Sequence, residues 1–168
     1  RAPLRLFLEE NFEFLVCYSL SKSMTLYGER VGALIAVCHS KDSQEKVMSQ
    51  VKTLIRHNYS SPPLHGTRTV AKVLSTKELK FSWEQELTQV KNRVKTMRSL
   101  LTQHMGPSFA YIESENGLFS LLGLTIKQVM QLRDQFGIYM PENGRINVAG
   151  LNENNIDYTT KSIRQVLR

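Results

Sequence analysis

The sequence predicts an α/β part followed by an α+β part, joined by one long helix. Two nearly continuous apolar runs, at residues 12–18 and 31–38, are typical of buried strands. Between residues 76 and 104, apolar side chains recur every three or four positions, which indicates a long amphipathic helix. After Gly106-Pro107, short apolar pieces alternate with Asn-Gly turns. We therefore place the change of architecture near the long helix.

The first half of the chain is predicted to alternate strands with helices. A helix should follow the second strand, with Asp42 or Ser43 as its N-cap. Pro62-Pro63 should end it, because a residue that precedes proline avoids helical geometry. A short helix around Val70 should come next.

The long helix carries one continuous apolar stripe, which we interpret as core or interdomain packing rather than as a cofactor site. Its members are Leu79, Trp83, Leu87, Val90, Val94, Met97 and Leu101.

The second half is predicted to mix short strands with two helices. Thr125 should cap a helix that ends at Gly137, and Asn152 or Asn154 should open a final helix that runs to Arg168. The predicted strands are residues 109–112, 118–121, 138–140 and 145–148.

Composition limits the class of protein. The chain has 168 residues, 41% of them hydrophobic, and a formal net charge of +7, which is the balance of a globular protein rather than of a disordered one. Its apolar runs fall short of the roughly 20 residues that cross a bilayer, so no membrane span is expected. The basic residues are scattered among acids and apolar residues, so no nucleic-acid partner is expected. The two cysteines and four histidines show no ligand spacing, and we expect no metal.

The segment between the two predicted strands carries the residues best suited to chemistry. Lys22 follows the first strand, and Ser19, Ser21 and Arg30 lie near it. Burial at the end of a strand disfavours the charged form of a lysine and makes its amine nucleophilic, as Schiff-base chemistry requires. Hydroxyls and a guanidinium are groups that hold a phosphate, so together these residues suggest pyridoxal phosphate. The alternative is a loop lysine with incidental serines.

Four segments resemble those of the class I aminotransferases, in the branch that acts on aspartate and aromatic amino acids. SLSKSMTLYGERVGAL, at residues 19–34, is similar to the family's pyridoxal-lysine segment, and SSPPLHGTR, NGLF and GRINVAGL follow in the family's order and spacing. The resemblance covers the whole chain but only the C-terminal portion of the family's longer chain. It implies the end of a large domain of pyridoxal-phosphate fold type I at residues 1–89, with the Schiff-base lysine segment. A small α+β domain at residues 90–168 would include the bridging long helix.

The resemblance implies a cofactor site for pyridoxal 5'-phosphate. Lys22 would attach the cofactor and, once displaced by substrate, move the proton of the substrate's α carbon. Ser19, Ser21 and Arg30 would bind the cofactor phosphate.

The resemblance also implies a substrate site. Arg145 would grip the α-carboxylate of the substrate with its planar guanidinium, and Phe119 would line the pocket. Arg56, with Ser60 orienting it, would reach the active site of a neighbouring subunit and select dicarboxylic substrates, which implies a homodimer with shared active sites. The alternative for Arg56 is a solvated cation that is favoured by the helix dipole.

The implied activity of the parent enzyme is transfer of an amino group between aspartate and 2-oxoglutarate by a ping-pong mechanism. The alternatives are an aromatic amino acid aminotransferase and a non-catalytic unit for folding or dimerisation. The chain opens with Arg1 within a helical pattern, so we expect a partial polypeptide. In the family, the acid that pairs with the pyridine nitrogen lies upstream, so this piece alone should not be an efficient transaminase. We expect a cytoplasmic parent, with the mitochondrion as the alternative.

Overall fold

A computed structural model describes residues 2–167 and divides them into two compact units. The N-terminal unit extends to Glu84, and the C-terminal unit begins at Gln85. The helices are α1 (Ala2–Glu9), α2 (Lys41–Asn58), α3 (His65–Ser75), α4 (Lys77–Met105), α5 (Tyr111–Ser114), α6 (Ile126–Phe136) and α7 (Ile156–Val166). The strands are β1 (Phe14–Ser19), β2 (Gly32–Val37), β3 (Phe119–Leu121) and β4 (Arg145–Asn147).

The N-terminal unit contains an antiparallel hairpin of β1 and β2. Phe14 lies opposite Val37, and Ser19 lies opposite Gly32. A Cβ atom at Gly32 would collide with the carbonyl of Tyr18, so only glycine allows this close start of β2. The hairpin brings both ends of the segment from residue 20 to residue 31 to one place.

The predicted positions of these two strands are confirmed, but their predicted burial is wrong. Leu15 in β1 is 61% exposed, and Ile35 in β2 is 51% exposed. A two-stranded ribbon has two faces to cover, and the described residues place few side chains against either face. The apolar residues of the two strands therefore indicate a sheet whose faces need further packing layers to cover them.

Helix α2 begins where a serine side chain caps it. Ser40 is the N-cap and its Oγ accepts from the backbone N–H of Ser43 at 3.1 Å. The prediction of Asp42 or Ser43 as N-cap is wrong by two or three residues, because both positions already lie inside the first turn. Helix α3 follows the Pro62-Pro63 break as predicted.

The predicted long helix is confirmed as α4, although its apolar stripe is buried over only part of its length. Val94, Met97 and Leu101 are at most 7% exposed and belong to the core of the C-terminal unit. Leu79 and Val90, nearer the start of the helix, are 43% and 50% exposed. The interpretation of the stripe as packing surface therefore holds for its C-terminal part.

The C-terminal unit has a continuous apolar core. Strands β3 and β4 form an antiparallel pair in which Ser120 lies opposite Ile146, and both of these side chains are buried. The fully buried apolar side chains of the core are Leu101, Ile112, Leu132, Val148 and Ile163.

Two predicted strands of this unit are absent. Residues 109–112 form helical turns, because Pro107 pre-sets helical geometry and burial of Phe109 and Ile112 follows the i, i+3 spacing of a helix face. At residues 138–140 no strand forms. The N–H of Ile138 donates to the carbonyl of Leu132 at 3.0 Å and so completes the end of α6.

The predicted boundaries of α6 are confirmed on both sides. Thr125 is the N-cap, and Gly137 adopts left-handed geometry at the C-cap with φ of 63°. The final helix, α7, begins later than predicted, with Asn155 as its N-cap in place of Asn152 or Asn154. Its predicted end at Arg168 lies outside the described residues.

Residues 2–167 contain neither a membrane-spanning helix nor a cluster of side chains that could hold a metal ion. None of the helices in this range combines the length and the apolar character needed to cross a membrane. Within residues 2–167, no group of three or more histidine, cysteine, aspartate or glutamate side chains is arranged to hold a metal ion.

Candidate functional site

Lys22 lies in the turn that leaves β1. Its Nζ atom sits over the ring of Tyr27, 4.6 Å from the ring centroid, in a cation–π contact. The side chain is exposed, so the expectation of a lysine buried at the end of a strand is wrong for this chain. Its amine is therefore accessible to an incoming carbonyl compound.

Ser19, Ser21 and Arg30 line one shallow cavity of about 280 Å³ at the same end of the hairpin. The Ser19 hydroxyl donates to Ser21 Oγ at 3.2 Å and accepts from the Ser21 N–H at 3.3 Å. Ser21 is buried, whereas Ser19 and Arg30 are exposed. The three side chains that the sequence predicted as phosphate ligands are thus brought together.

The conformation of Arg30 is constrained both at its backbone and at its side chain. Its φ of 52° places it in the left-handed region, which a non-glycine residue adopts at a cost and which is frequent at functional sites. One guanidinium nitrogen, Nη1, donates to the carbonyl of Tyr27 at 3.1 Å. Within residues 2–167 this is the one side-chain hydrogen bond of Arg30, so the other N–H groups of its guanidinium are available to an anion.

The donor set at this end of the hairpin fits pyridoxal phosphate. Two hydroxyls and one guanidinium supply hydrogen bonds and positive charge for a phosphate. The accessible amine of Lys22 lies three residues from Ser19 and supplies the group that condenses with an aldehyde. A phosphorylated aldehyde is the ligand that uses both features.

Helix α3 supports the loop that carries Arg30. Gly66 packs so closely that an added Cβ would lie 2.8 Å from the Cβ of Glu29 and 3.1 Å from that of Val31. His65 Nδ1 lies 3.0 Å from Glu29 Oε2. The two residues that flank Arg30 are therefore fixed against the start of α3, which explains the small residue at position 66.

The turn that bears Lys22 is also tied to α4. The indole nitrogen Nε1 of Trp83 donates to the carbonyl of Ser23 at 2.7 Å, and this contact is partly buried. Trp83 is the single tryptophan of the chain.

Arg56 and Ser60 form a contact at the end of α2. Arg56 Nη1 donates to Ser60 Oγ at 2.6 Å, and both side chains are exposed. Ser60 has a φ of 62°, again in the left-handed region. The hydroxyl therefore orients the guanidinium, whereas the proposed task of Arg56 in a neighbouring subunit stays a prediction.

Phe119 and Arg145 meet on the outward face of the β3–β4 pair. The Cζ atom of Arg145 lies 4.8 Å from the centroid of the Phe119 ring. The buried partners Ser120 and Ile146 point inward, so their neighbours along each strand point outward. Both outward residues line a cavity of about 390 Å³, together with Tyr139, Met140, Asn147 and Leu151.

A buried arginine holds the backbone of β3 from the inner side. Arg98 is 2% exposed, and its Nη2 atom donates to the carbonyls of Gly117 at 2.9 Å and Phe119 at 3.0 Å. Its Nη1 atom donates to Ser120 Oγ at 2.6 Å and also contacts Glu115 Oε2 at 3.2 Å. The turn that presents Phe119 is therefore ordered by one side chain.

Tyr111 secures the other end of β3. Its hydroxyl donates to the carbonyl of Leu121 at 2.7 Å. Partial burial raises the pKa of Tyr111, and the negative charge of Glu115 raises it further. The hydroxyl therefore stays protonated and able to donate across the neutral pH range.

The predicted site residues fall into two groups, one in each unit. Those of the N-terminal unit are Lys22, Ser19, Ser21 and Arg30, with Arg56 and Ser60 at the end of α2. Those of the C-terminal unit are Phe119 and Arg145.

Sequence reasoning missed Trp83 and Arg98 as residues that support the site. For Trp83, the signal was an indole N–H on an otherwise apolar stripe, because such a group requires an acceptor when it is covered. For Arg98, the signal was its spacing, four residues after Val94 and three before Leu101. That spacing places a charged side chain on the buried face of α4.

Several known proteins are similar to this chain. The family model for class I and II aminotransferases matches residues 1–163. Among curated proteins, the chain is similar to an aspartate aminotransferase of Pseudomonas aeruginosa, 45% identical over 99% of this chain and 43% of the relative. A mitochondrial aspartate aminotransferase of Dictyostelium discoideum is 36% identical over 99% of this chain and 40% of the relative.

Solved structures show the same likeness. An aromatic-amino-acid aminotransferase from Burkholderia pseudomallei, covalently bound to pyridoxal phosphate, is 45% identical with a TM-score of 0.91. An aromatic amino acid aminotransferase from Psychrobacter, cocrystallised with aspartic acid, is 40% identical with a TM-score of 0.92. Each match covers 99% of this chain and 43% of the other chain. This chain therefore spans less than half the length of the proteins that it matches.

Proposed function

This chain belongs to the family of class I and II aminotransferases, and from that premise we propose that it is the C-terminal part of a longer enzyme, here called the parent protein. The parent protein moves an amino group between aspartate and 2-oxoglutarate with pyridoxal phosphate as cofactor. The names of the similar curated relatives support the substrate pair. The assignment of residues 1–89 to a large domain and of residues 90–168 to a small domain is part of this proposal.

One observation carries the proposal: the accessible amine of Lys22 and the cavity lined by Ser19, Ser21 and Arg30 occupy the same end of one hairpin. Class I aminotransferase chemistry requires this pairing of a nucleophilic amine with an anion site. The covalently bound pyridoxal phosphate of the similar Burkholderia enzyme supports the same choice of cofactor.

The residues of the N-terminal unit have distinct tasks in this mechanism. Ser19, Ser21 and Arg30 bind the phosphate and so fix the position of the cofactor. When bound, pyridoxal phosphate supplies an electron sink for the electrons of a bond at the substrate's α carbon. The Nζ atom of Lys22, freed once substrate is bound, would accept the proton from that α carbon and deliver it to the C4′ carbon of the cofactor, and it would move a proton in the opposite direction in the second half of the reaction.

Arg145 and Phe119 orient the substrate. The guanidinium of Arg145 forms two parallel hydrogen bonds with a carboxylate, which defines both position and orientation. The Phe119 ring, 4.8 Å from Arg145 Cζ, limits the positions available to that guanidinium. The pair thus presents one geometry to the α-carboxylate of any amino acid substrate.

Arg56 carries the preference for dicarboxylic substrates. Its exposed guanidinium, oriented by Ser60 at 2.6 Å, is available to a second carboxylate across a subunit boundary. A homodimer with shared active sites follows from this assignment. Aromatic amino acid transamination is the second candidate, because two similar solved structures are aromatic aminotransferases and one of them was cocrystallised with aspartic acid.

We place the parent protein in the cytoplasm, with the mitochondrion as the alternative. One curated relative is named as mitochondrial, which supports the alternative.

Assay of the purified parent protein with aspartate and 2-oxoglutarate tests the proposal. Oxaloacetate should form, and Lys22→Ala should lower kcat by about a thousandfold or more, because no other group at the hairpin supplies the proton-transferring amine. Lys46→Ala, which removes an exposed lysine on α2, is the matched control and should leave kcat unchanged. Undiminished turnover by Lys22→Ala would refute the proposal. A kcat/KM that is higher for phenylalanine than for aspartate would favour the aromatic candidate.

A further inference from the structure

We propose that Trp83 is a positioning residue for Lys22: its indole N–H holds the carbonyl of Ser23 and thereby fixes the turn that presents the lysine amine. This inference rests on the proposed function, because it assigns Trp83 a task in cofactor attachment. It goes beyond that function, because Trp83 itself touches neither the cofactor nor the substrate in this assignment.

The geometry of the contact is that of a strong neutral hydrogen bond. Trp83 Nε1 lies 2.7 Å from the Ser23 carbonyl oxygen, across 60 positions of sequence. The acceptor belongs to the residue that directly follows Lys22, so the bond restrains the backbone next to the reactive side chain. Partial burial protects the bond from competition with water.

The other hydrogen bonds of this turn are local to the hairpin. The N–H of Met24 donates to the carbonyl of Leu20 at 3.1 Å, and the N–H of Leu20 donates to the carbonyl of Val31 at 3.2 Å. These bonds set the shape of the turn and join it to β2. The Trp83 bond differs in kind, because it connects the turn to a helix outside the hairpin.

Two features show that the turn needs such a restraint. Thr25 has a φ of 54°, a left-handed geometry that a residue with a Cβ holds only when its surroundings enforce it. The hydroxyl Oγ of Ser23 is buried without a hydrogen-bond partner among residues 2–167. The side chain of residue 23 therefore contributes no hydrogen bond within the described residues, and its carbonyl is the group that is held.

The location of Trp83 on α4 agrees with this task. Leu79 and Leu87, one helical turn before and after it, are 43% and 37% exposed. Trp83 is half-buried, and it lies between these two exposed positions of the apolar stripe. A rigid ring with one polar tip suits a site where packing and a single donor are both required.

A weaker hold on the turn lowers the fraction of molecules in which the amine is in place. The observed rate of attachment falls in proportion to that fraction. Loss of one neutral hydrogen bond of this kind lowers the ratio of held to released turns by about three- to tenfold.

The experiment measures cofactor attachment directly in the parent protein. Trp83→Phe keeps an aromatic ring and removes only the N–H donor. Pyridoxal phosphate is added to protein freed of cofactor, borohydride traps the adduct over time, and the mass of the Lys22 peptide gives the rate. We expect trapping on Lys22 to be about three- to tenfold slower than in the unaltered protein. Phe81→Leu, an exposed position on the same helix, should trap at the unaltered rate.

Amide hydrogen exchange without cofactor provides a second, independent readout. In Trp83→Phe the amides of residues 21–25 should exchange about three- to tenfold faster, whereas those of α2 should not change. This pattern separates local loosening of the turn from a general loss of fold.

The possible outcomes are distinguishable. Equal trapping rates in Trp83→Phe and the unaltered protein would overturn the inference and leave the proposed function standing. Equal slowing in Phe81→Leu, or faster exchange spread over α2, would also overturn it, because the effect would then belong to the helix as a whole. Failure of the unaltered parent protein to be trapped at Lys22 would refute the proposed function, and the inference with it.

Discussion

Single side chains near the site are oriented by partners that are distant in sequence. Arg98 reaches the carbonyls of Gly117 and Phe119, about twenty residues further along the chain. Trp83 reaches back 60 positions to Ser23. In both cases a donor on α4 holds a backbone carbonyl beside a residue with a proposed role in chemistry, so the helix acts as a support for turns that have little regular structure of their own.

Replacement of Arg98 by methionine tests this support in the C-terminal unit. Arg98→Met keeps a long side chain but removes the donor from three carbonyls, those of Ile112, Gly117 and Phe119, and from the Ser120 hydroxyl. We expect a local loss of about 3 kcal/mol, because buried acceptors without partners are costly. Amide exchange across residues 117–121 of the parent protein should accelerate about 100-fold.

Arg93→Met is the matched control on the same helix. Arg93 donates to the carbonyls of Ala149 and Leu151 at 3.1 Å and 2.7 Å. Its loss should therefore affect the segment after β4 and leave the exchange of residues 117–121 unchanged. If the amides of residues 117–121 exchange as slowly in Arg98→Met as in the unaltered protein, the role assigned to the buried guanidinium is contradicted.

At the scale of elements, the helices were predicted best where their ends carry chemical signals. Thr125 and Gly137 bound α6 as expected, because a hydroxyl cap and a left-handed glycine act locally and need no tertiary partner. The strand predicted at residues 109–112 failed for the converse reason. A run of four apolar and aromatic residues fits both the side-chain period of a strand and that of a helix. Pro107 and the burial of Phe109 and Ile112 favour the helix.

The capping box of α6 can be tested by one substitution. Thr125 Oγ1 accepts from the N–H of Gln128 at 3.3 Å, and Gln128 Oε1 accepts from the N–H of Thr125 at 2.9 Å. Thr125→Ala should destabilise the first turn by about 1 kcal/mol, which corresponds to about fivefold faster amide exchange there. Thr125→Ser keeps the hydroxyl and should exchange at nearly the unaltered rate. An unchanged rate in Thr125→Ala would show that the cap contributes nothing measurable.

At the scale of the whole molecule, the two units differ in how well they are covered. The C-terminal unit has fully buried side chains from four helical segments and from the turn after β4. In the N-terminal unit, the apolar residues of β1 and β2 are largely exposed, and so is Lys22. The similar enzymes are longer, since this chain covers 43% of their length, and the proposed parent protein would therefore have further residues to cover this sheet.

The 168-residue chain, produced by itself, tests this view of the site. We expect it to transaminate aspartate at less than about one-hundredth of the rate of the parent protein, because a lysine open to water lacks the pre-organised surroundings that stabilise developing charge. The measurement is oxaloacetate formation with saturating pyridoxal phosphate, with the parent protein assayed alongside at equal concentration. Comparable turnover by the two proteins would show that the described residues are sufficient for catalysis.

The sequence by itself determined the family and the places of β1, β2 and most helices, and it nominated the candidate site residues. Those properties follow from local patterns: SLSKSMTLYGER between two apolar runs, the period of α4, and caps such as Thr125. Only the tertiary structure decided which of these side chains are covered, which donor holds which carbonyl, and that the guanidinium of Arg145 lies over the Phe119 ring. Burial and long-range hydrogen bonds depend on residues brought together by the fold, and the pattern within one segment does not contain that information.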